Sequence, residues 1–245
     1  FDGENLCFIF FECQYAVINT DYIEYLRKKY PNAKFVLYMQ DLVSSLPYYD
    51  INRYKRVFDL ILSYDKGDCE RYGLLYYPTP YSKISMQQTI TEDIDVFFCG
   101  ASKNRYDEII SAYRKCTSEG LKCKFFVTGV PVDKQVAGEG LVYNRPITYK
   151  ENLAYISKSK CILEILQKNA SGYSLRLWEA IMYDKHLLTN NTSVVESKYY
   201  RPEFIHLTND NSPMSDWINN DMIIPSEYKS VLSPKNFLNF IDQHF

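Results

Sequence analysis

The sequence lacks most of the features that announce a function. It has no run of eighteen apolar residues, so no helical membrane span is expected. No secretory signal peptide is visible. The seven cysteines (Cys7, Cys13, Cys69, Cys99, Cys116, Cys123 and Cys161) include no CxxC pair and are odd in number. They read as reduced, buried side chains of a cytosolic protein. The three histidines, His186, His206 and His244, show no ligand spacing with them, which argues against a zinc site. The P-loop pattern GxxxxGK[ST], the dinucleotide fingerprint GxGxxG and the nucleophile elbow GxSxG are all absent. No cysteine has a nearby histidine in sequence to activate it. A net charge of −2 gives no electrostatic reason to expect nucleic acid or an anionic membrane as partner.

What is present describes a globular chain. With 245 residues, 46% apolar and 24% charged, it can bury a substantial core as one large domain or two small ones. Tyrosine is abundant, 23 residues beside 14 phenylalanines. Half-buried ring faces account for most of these; stacking on carbohydrate or bases is the sharper alternative.

Apolar runs and amphipathic segments alternate along the chain. Strands are expected at 6–11, 34–41, 60–65, 95–100, 123–129, 140–144, 161–166, 186–190 and 203–208. Helices are expected at 20–30, 51–59, 67–74, 105–120, 150–160 and 233–245, with one more inside 171–190. The segment 76–93 has two prolines and no periodicity and reads as a linker. Short apolar strands separated by helices predict βαβ units: an α/β protein of two Rossmann-like domains. The expected boundaries are 1–80, a linker 81–94, a second domain 95–232 and a C-terminal helix 233–245. With about three strands, and a chain that opens on Phe1, the first domain is expected to be short or truncated.

Ligands in such sheets bind beyond the carboxyl ends of the strands. Two segments there carry chemistry. Gly100-Ala101-Ser102-Lys103-Asn104-Arg105 combines a glycine turn, a helix start and two cations, read either as a solvated turn or as an anion site. In 171–190, "SGYSLRLWEAIMYDKHLLTN", Leu175, Trp178 and Met182 mark a core face and Arg176, Glu179 and Tyr183 the other. Ser171 to Ser174 would offer N–H groups and hydroxyls at the helix start, where a phosphate would also meet Arg176. Glu179, one turn on, is placed to accept from both hydroxyls of a sugar diol. The plain alternative is a surface Arg176–Glu179 ion pair.

"ILEILQKNASGYSLRLWEAIMYDKHLLTNN" resembles the nucleotide-sugar segment of bacterial GT-B glycosyltransferases of polysaccharide and lipopolysaccharide assembly. "DVFFCGASKNRYDEI" and "ITYKENLAYISKSKCILEI" are similar to other parts of the same donor domain. "FVLYMQDL" and "DLILSYDKGDCERYGLLYYPTPY" are similar to acceptor-domain strands. The resemblance implies that Glu179 binds the nucleotide ribose. It implies that Arg176 with the Tyr173–Ser174 backbone holds the diphosphate, and that Gly100 and its loop, with Lys103 and Arg105, line it from the other side. The region of Ile147, Thr148 and Tyr149 would border the base. Many family members have an acidic residue eight positions before the ribose-binding glutamate; here that position is Ser171, which departs from a retaining mechanism using that carboxylate.

The expected function is therefore transfer of a sugar from a nucleotide-diphosphate sugar to a glycan or lipid-linked acceptor, without a metal or other cofactor. The expected location is cytoplasmic, with peripheral contact at the inner membrane face where the acceptor is lipid-linked. Asn209-Asp210-Asn211 reads as a turn and not as a metal motif. A base for the acceptor hydroxyl is sought among carboxylates at strand ends of the first half: Asp41 first, then Asp65 and Glu12. Each also reads as a turn or helix-cap carboxylate. The competing readings are a nucleotide-sugar epimerase, a non-catalytic two-lobed ligand-binding module and a degenerate glycosyltransferase-like subunit.

Overall fold

The computed structural model describes residues 6–12, 18–46, 48–84, 91–168 and 170–245. Cys13 and positions 85–90 of the expected linker lie outside them. The chain divides into two compact units, Phe1–Thr79 with Ala170–Gly172, and Pro80–Asn169 with Tyr173–Phe245. Residues 81–84 and the C-terminal helix, set apart in the sequence reading, fall in the second unit.

The first unit is a parallel sheet of four strands: β1 (Cys7–Phe11), β2 (Lys34–Met39), β3 (Leu60–Ser63) and β4 (Leu75–Tyr76), in that order. Between them run helices α1 (Thr20–Lys29), α2 (Ile51–Tyr54) and α3 (Lys66–Tyr72). β2 is buried from Phe35 to Met39, as a strand covered on both faces must be. α1 starts on Asn19, whose side chain accepts from Asp21 N, and buries Ile23 and Leu26. α2 is shorter than the expected 51–59. The Tyr54 carbonyl accepts from both Val57 and Phe58 N–H, so the chain turns there and buries both side chains. Asp59 then accepts from Phe35 N at 2.8 Å, which fixes the turn to β2. β4 escaped the sequence reading because two residues carry no periodicity. It follows Gly73, the left-handed C-cap of α3 at φ 60°.

The second unit has a six-stranded parallel sheet. Its strands are β5 (Ile94–Ala101), β6 (Cys123–Thr128), β7 (Leu141–Tyr143), β8 (Ser159–Glu164), β9 (His186–Thr189) and β10 (Ile205–Leu207). Their order is β10-β9-β8-β5-β6-β7, which is the doubly wound order, with the topological switch between β5 and β8. The helices are α4 (Tyr106–Ser118), α5 (Tyr149–Lys158), α6 (Leu175–Tyr183), α7 (Met214–Trp217), α8 (Ser226–Ser230) and α9 (Pro234–Asp242). Successive strand residues feed two cores. Phe97, Ile162 and Leu187 pack with α5 and α6 on one face; Val96, Phe98, Leu163 and Leu188 pack with α4 on the other. α5 opens with a capping box between Thr148 and Glu151.

The described cysteines are all free. Cys116 and Cys161 are buried as expected, but Cys7 is exposed on the outer strand of the first sheet. Among the described residues no helix is long and apolar enough to cross a membrane.

Candidate functional site

α6 carries the site, and its start is fixed from two sides. Ser174 is the N-cap, accepting from Arg176 N at 3.2 Å. Its hydroxyl donates to Glu164 Oε1 at 2.5 Å, and its N–H reaches the same oxygen at 3.3 Å. Glu164 ends β8, is buried, and accepts from Thr189 Oγ1 of β9 at 2.6 Å through its other oxygen. One buried carboxylate therefore ties the helix start to two strands. At the other end Asp184 adopts the left-handed conformation at φ 54° and closes the helix.

The helix does not have the expected solvent face. Trp178, Leu177, Ala180 and Ile181 are fully buried, but so, nearly, are Glu179 and Tyr183. The segment ahead of β5 covers that side: Tyr183 OH accepts from Ile84 N at 3.1 Å. Leu175, expected in the core, is instead at the rim, 37% exposed. The Tyr173 ring packs edge-on against Trp178 and Tyr199 and is part of the core.

Beside α6, at the β5–β8 switch point, lies a cavity of about 290 Å³. Phe97 and Cys99 of β5, Ile162 of β8, Ile147, Tyr149 and Asn152 around the start of α5, and Leu175, Arg176 and Glu179 line it. Glu179 is 4% exposed. Its Oε1 accepts from Asn152 Nδ2 at 3.1 Å, and the Tyr149 hydroxyl is its second polar neighbour. Burial raises its pKa to about 7, with Arg176, Tyr149 and Asn152 acting in the opposite direction. The Tyr149 hydroxyl is in turn 2.8 Å from Tyr81 OH, and burial pushes both phenols up.

Arg176 and Glu179 are not the surface ion pair of the plain reading. The Arg176 guanidinium donates to the Cys99 carbonyl and lies over the Phe98 ring, 5.2 Å from its centroid. Gly100 makes room for it: a Cβ there would come within 2.6 Å of Arg176 Nη2. Gly100 therefore serves close packing inside β5 and not a turn. Arg105 departs further from expectation. It is buried and donates to the carbonyls of Ala101 and Ile165, so it braces the β5 and β8 ends. Lys103 is exposed at φ 43° in the turn after β5. Asp107 and Glu108 occupy the first turn of α4 and already complement its dipole, which weakens that helix start as an anion site.

The Ser171-Gly172 lead-in is not an open cradle of N–H groups either. Within the first unit, Asp65 accepts from Ser171 N at 2.8 Å and Gly172 N at 2.7 Å, and from Asp68 N at 2.9 Å as the N-cap of α3. A Cβ at Gly172 would stand 2.7 Å from the Tyr64 carbonyl, so only glycine fits that approach. Asp65 is thus a buried structural acceptor, and its candidacy as a base ends there. Asp41 follows β2 in the first unit and is not among the residues around the cavity. Its N–H, with that of Gln40, is held by Glu12 Oε2 at 2.8 and 3.2 Å. Glu12 is buried, its Oε1 has no hydrogen-bond partner among the described residues, and burial raises its pKa.

The structure therefore gathers Tyr149, Arg176 and Glu179 at one cavity and seats Gly100 behind Arg176. Sequence reasoning missed Asn152, Cys99, Tyr81 and Glu164. Asn152 was within reach, because it follows Tyr149 at helical i, i+3 spacing. Among the described residues no three histidines, cysteines or carboxylates converge to hold a metal ion.

No family model and no curated protein matches this sequence. Solved structures do. The crystal structure of TarM superposes with a TM-score of 0.56 at 11% identity, covering 97% of this chain and 54% of TarM. An alpha-glucosyltransferase in complex with UDP-glucose and DNA containing an abasic site gives 0.50 at 13% identity, covering 98% of this chain and 74% of that one. The chain thus spans about half the length of TarM. At these identities the likeness concerns the fold, and the chain has the fold of GT-B glycosyltransferases.

Proposed function

We propose that the protein is a glycosyltransferase whose second unit binds the nucleoside diphosphate of a nucleotide-sugar donor in the α5–α6 cavity. The observation that carries this reading is Glu179, a buried carboxylate held at a cavity on the switch point of a doubly wound sheet. Among the described residues Glu179 is in no salt bridge, and an unpaired buried carboxylate costs stability; such sites are where function retains them.

In this reading Glu179 accepts from both hydroxyls of the ribose, an arrangement in which one carboxylate satisfies a vicinal diol. Arg176 uses one N–H on the Cys99 carbonyl and has others for a phosphate oxygen. Transfer leaves a diphosphate whose charge must be stabilised. Arg176 and the exposed Lys103 supply cations for it without a metal. Asp41, whose N–H is held by Glu12, is the carboxylate we propose for deprotonating the acceptor, a glycan or lipid-linked hydroxyl of surface polysaccharide or lipopolysaccharide assembly. The test is turnover. With a panel of nucleotide sugars and a glycan acceptor mixture, release of a nucleoside diphosphate is expected from the wild type, and to fall at least tenfold in Glu179→Ala and Arg176→Ala. Binding without release from any donor would favour a non-catalytic subunit.

A further inference from the structure

Asn152 has no part in the sequence pattern that singled out Glu179, yet its side-chain amide donates to that carboxylate at 3.1 Å. It is the fourth residue of α5, directly after Glu151 of the capping box that fixes where this helix starts. An amide held this way directs one oxygen of the carboxylate, and the Tyr149 hydroxyl is the group's other polar neighbour at the cavity. The groups facing Glu179 are few: Arg176 on its own helix, Tyr149 and Asn152 on α5, Tyr81 behind Tyr149, and Cys99 on β5.

We propose that Asn152 is a positioning residue that sets the direction of the Glu179 carboxylate, so that the cavity takes ribonucleoside diphosphates and rejects their 2′-deoxy counterparts. The inference rests on the donor-site reading above. Its physical basis is that a fixed acceptor rewards a hydroxyl at one place, whereas a carboxylate free to rotate adapts to a diol or to a single hydroxyl. The Asn152 donor also favours the charged form of Glu179. Losing it moves the protonation of Glu179 further up.

The experiment is calorimetric titration of the whole chain with UDP, GDP and their 2′-deoxy forms, for wild type, Asn152→Leu and Asn152→Gln, from pH 5.5 to 8.5. The wild type is expected to prefer the ribose forms by roughly ten- to a hundredfold, the worth of one hydrogen bond to a charged group. Asn152→Leu is expected to narrow that ratio and to shift the pH midpoint of binding upward; Asn152→Gln, which keeps the donor, is expected to restore part of both. Equal weakening of both sugar forms by Asn152→Leu, with the midpoint unmoved, overturns the inference, because a general packing defect would do that. Wild-type binding of ribose and deoxyribose forms alike also overturns it while leaving the donor site standing. No binding of any diphosphate overturns the donor-site reading itself.

Discussion

Replacing Glu179 with glutamine separates what the residue does for function from what it does to stability. In the folded chain burial raises its pKa from 4.5 to about 7. Between those two values the native state binds more protons than the unfolded state. Stability is then greatest below about pH 4.5 and falls as pH rises through about 7. Each pH unit in that interval is worth about 1.4 kcal/mol, so by pH 8 the ionised side chain has cost about 3 kcal/mol. Glutamine keeps the shape and an oxygen for Asn152 but carries no charge to desolvate. Glu179→Gln is therefore expected to stabilise the second unit by up to about 3 kcal/mol at pH 8, and the gain is expected to vanish near pH 4.5. In thermal unfolding this is a rise of roughly 6–12 °C for a unit of this size. The same variant is expected to lose nucleoside diphosphate binding, a trade of stability for activity that marks a functional carboxylate. A Glu179→Gln protein that is less stable than wild type at pH 8, or whose difference from it does not change with pH, would refute the reasoning.

Further outcomes follow from other contacts. Arg105→Leu leaves the Ala101 and Ile165 carbonyls without their donor and is expected to cost roughly 2–3 kcal/mol in urea unfolding, while the folded fraction keeps wild-type nucleotide affinity. Gly100→Ala puts a Cβ where the Arg176 guanidinium lies and is expected to weaken diphosphate binding more than nucleoside binding, read by paired titrations. Asp65→Ala strips the acceptor from the Ser171, Gly172 and Asp68 N–H groups and is expected to destabilise the first unit by roughly 2–4 kcal/mol, measured by hydrogen exchange at those amides. If cations on the chain stabilise the leaving diphosphate, a chelator is expected to leave turnover unchanged; a loss restored by added divalent metal would contradict that.

Long apolar runs made the strands legible. Val96–Phe98 and Cys161–Ile165 are buried in the sheet, and runs this short with flanking turn residues read as strands rather than helices. The α6 helix was legible from its spacing, and so was the placing of Arg176 and Glu179 together. What was not legible depends on partners far away in sequence. Asp65 meets Ser171, 106 residues on, so a strand-end carboxylate read as a base and a Ser-Gly turn read as an anion cradle satisfy each other. Arg105 read as a surface cation because nothing local tells that two strand-end carbonyls need a donor. The depth of Glu179 was hidden for the same reason: the cover comes from Ile84 and Tyr81, about a hundred residues earlier, in a segment whose composition reads as linker.

The measurement that bears most directly on the donor-site account is the dissociation constant of a nucleoside diphosphate for the wild type and for Glu179→Ala, with UDP and GDP as probes at pH 8. The account predicts saturable binding at one site per chain for at least one of them. It predicts a loss of at least tenfold on Glu179→Ala, with the folded state unchanged. Wild-type affinity retained by Glu179→Ala would contradict it, because the buried carboxylate would then be no part of the ligand's site.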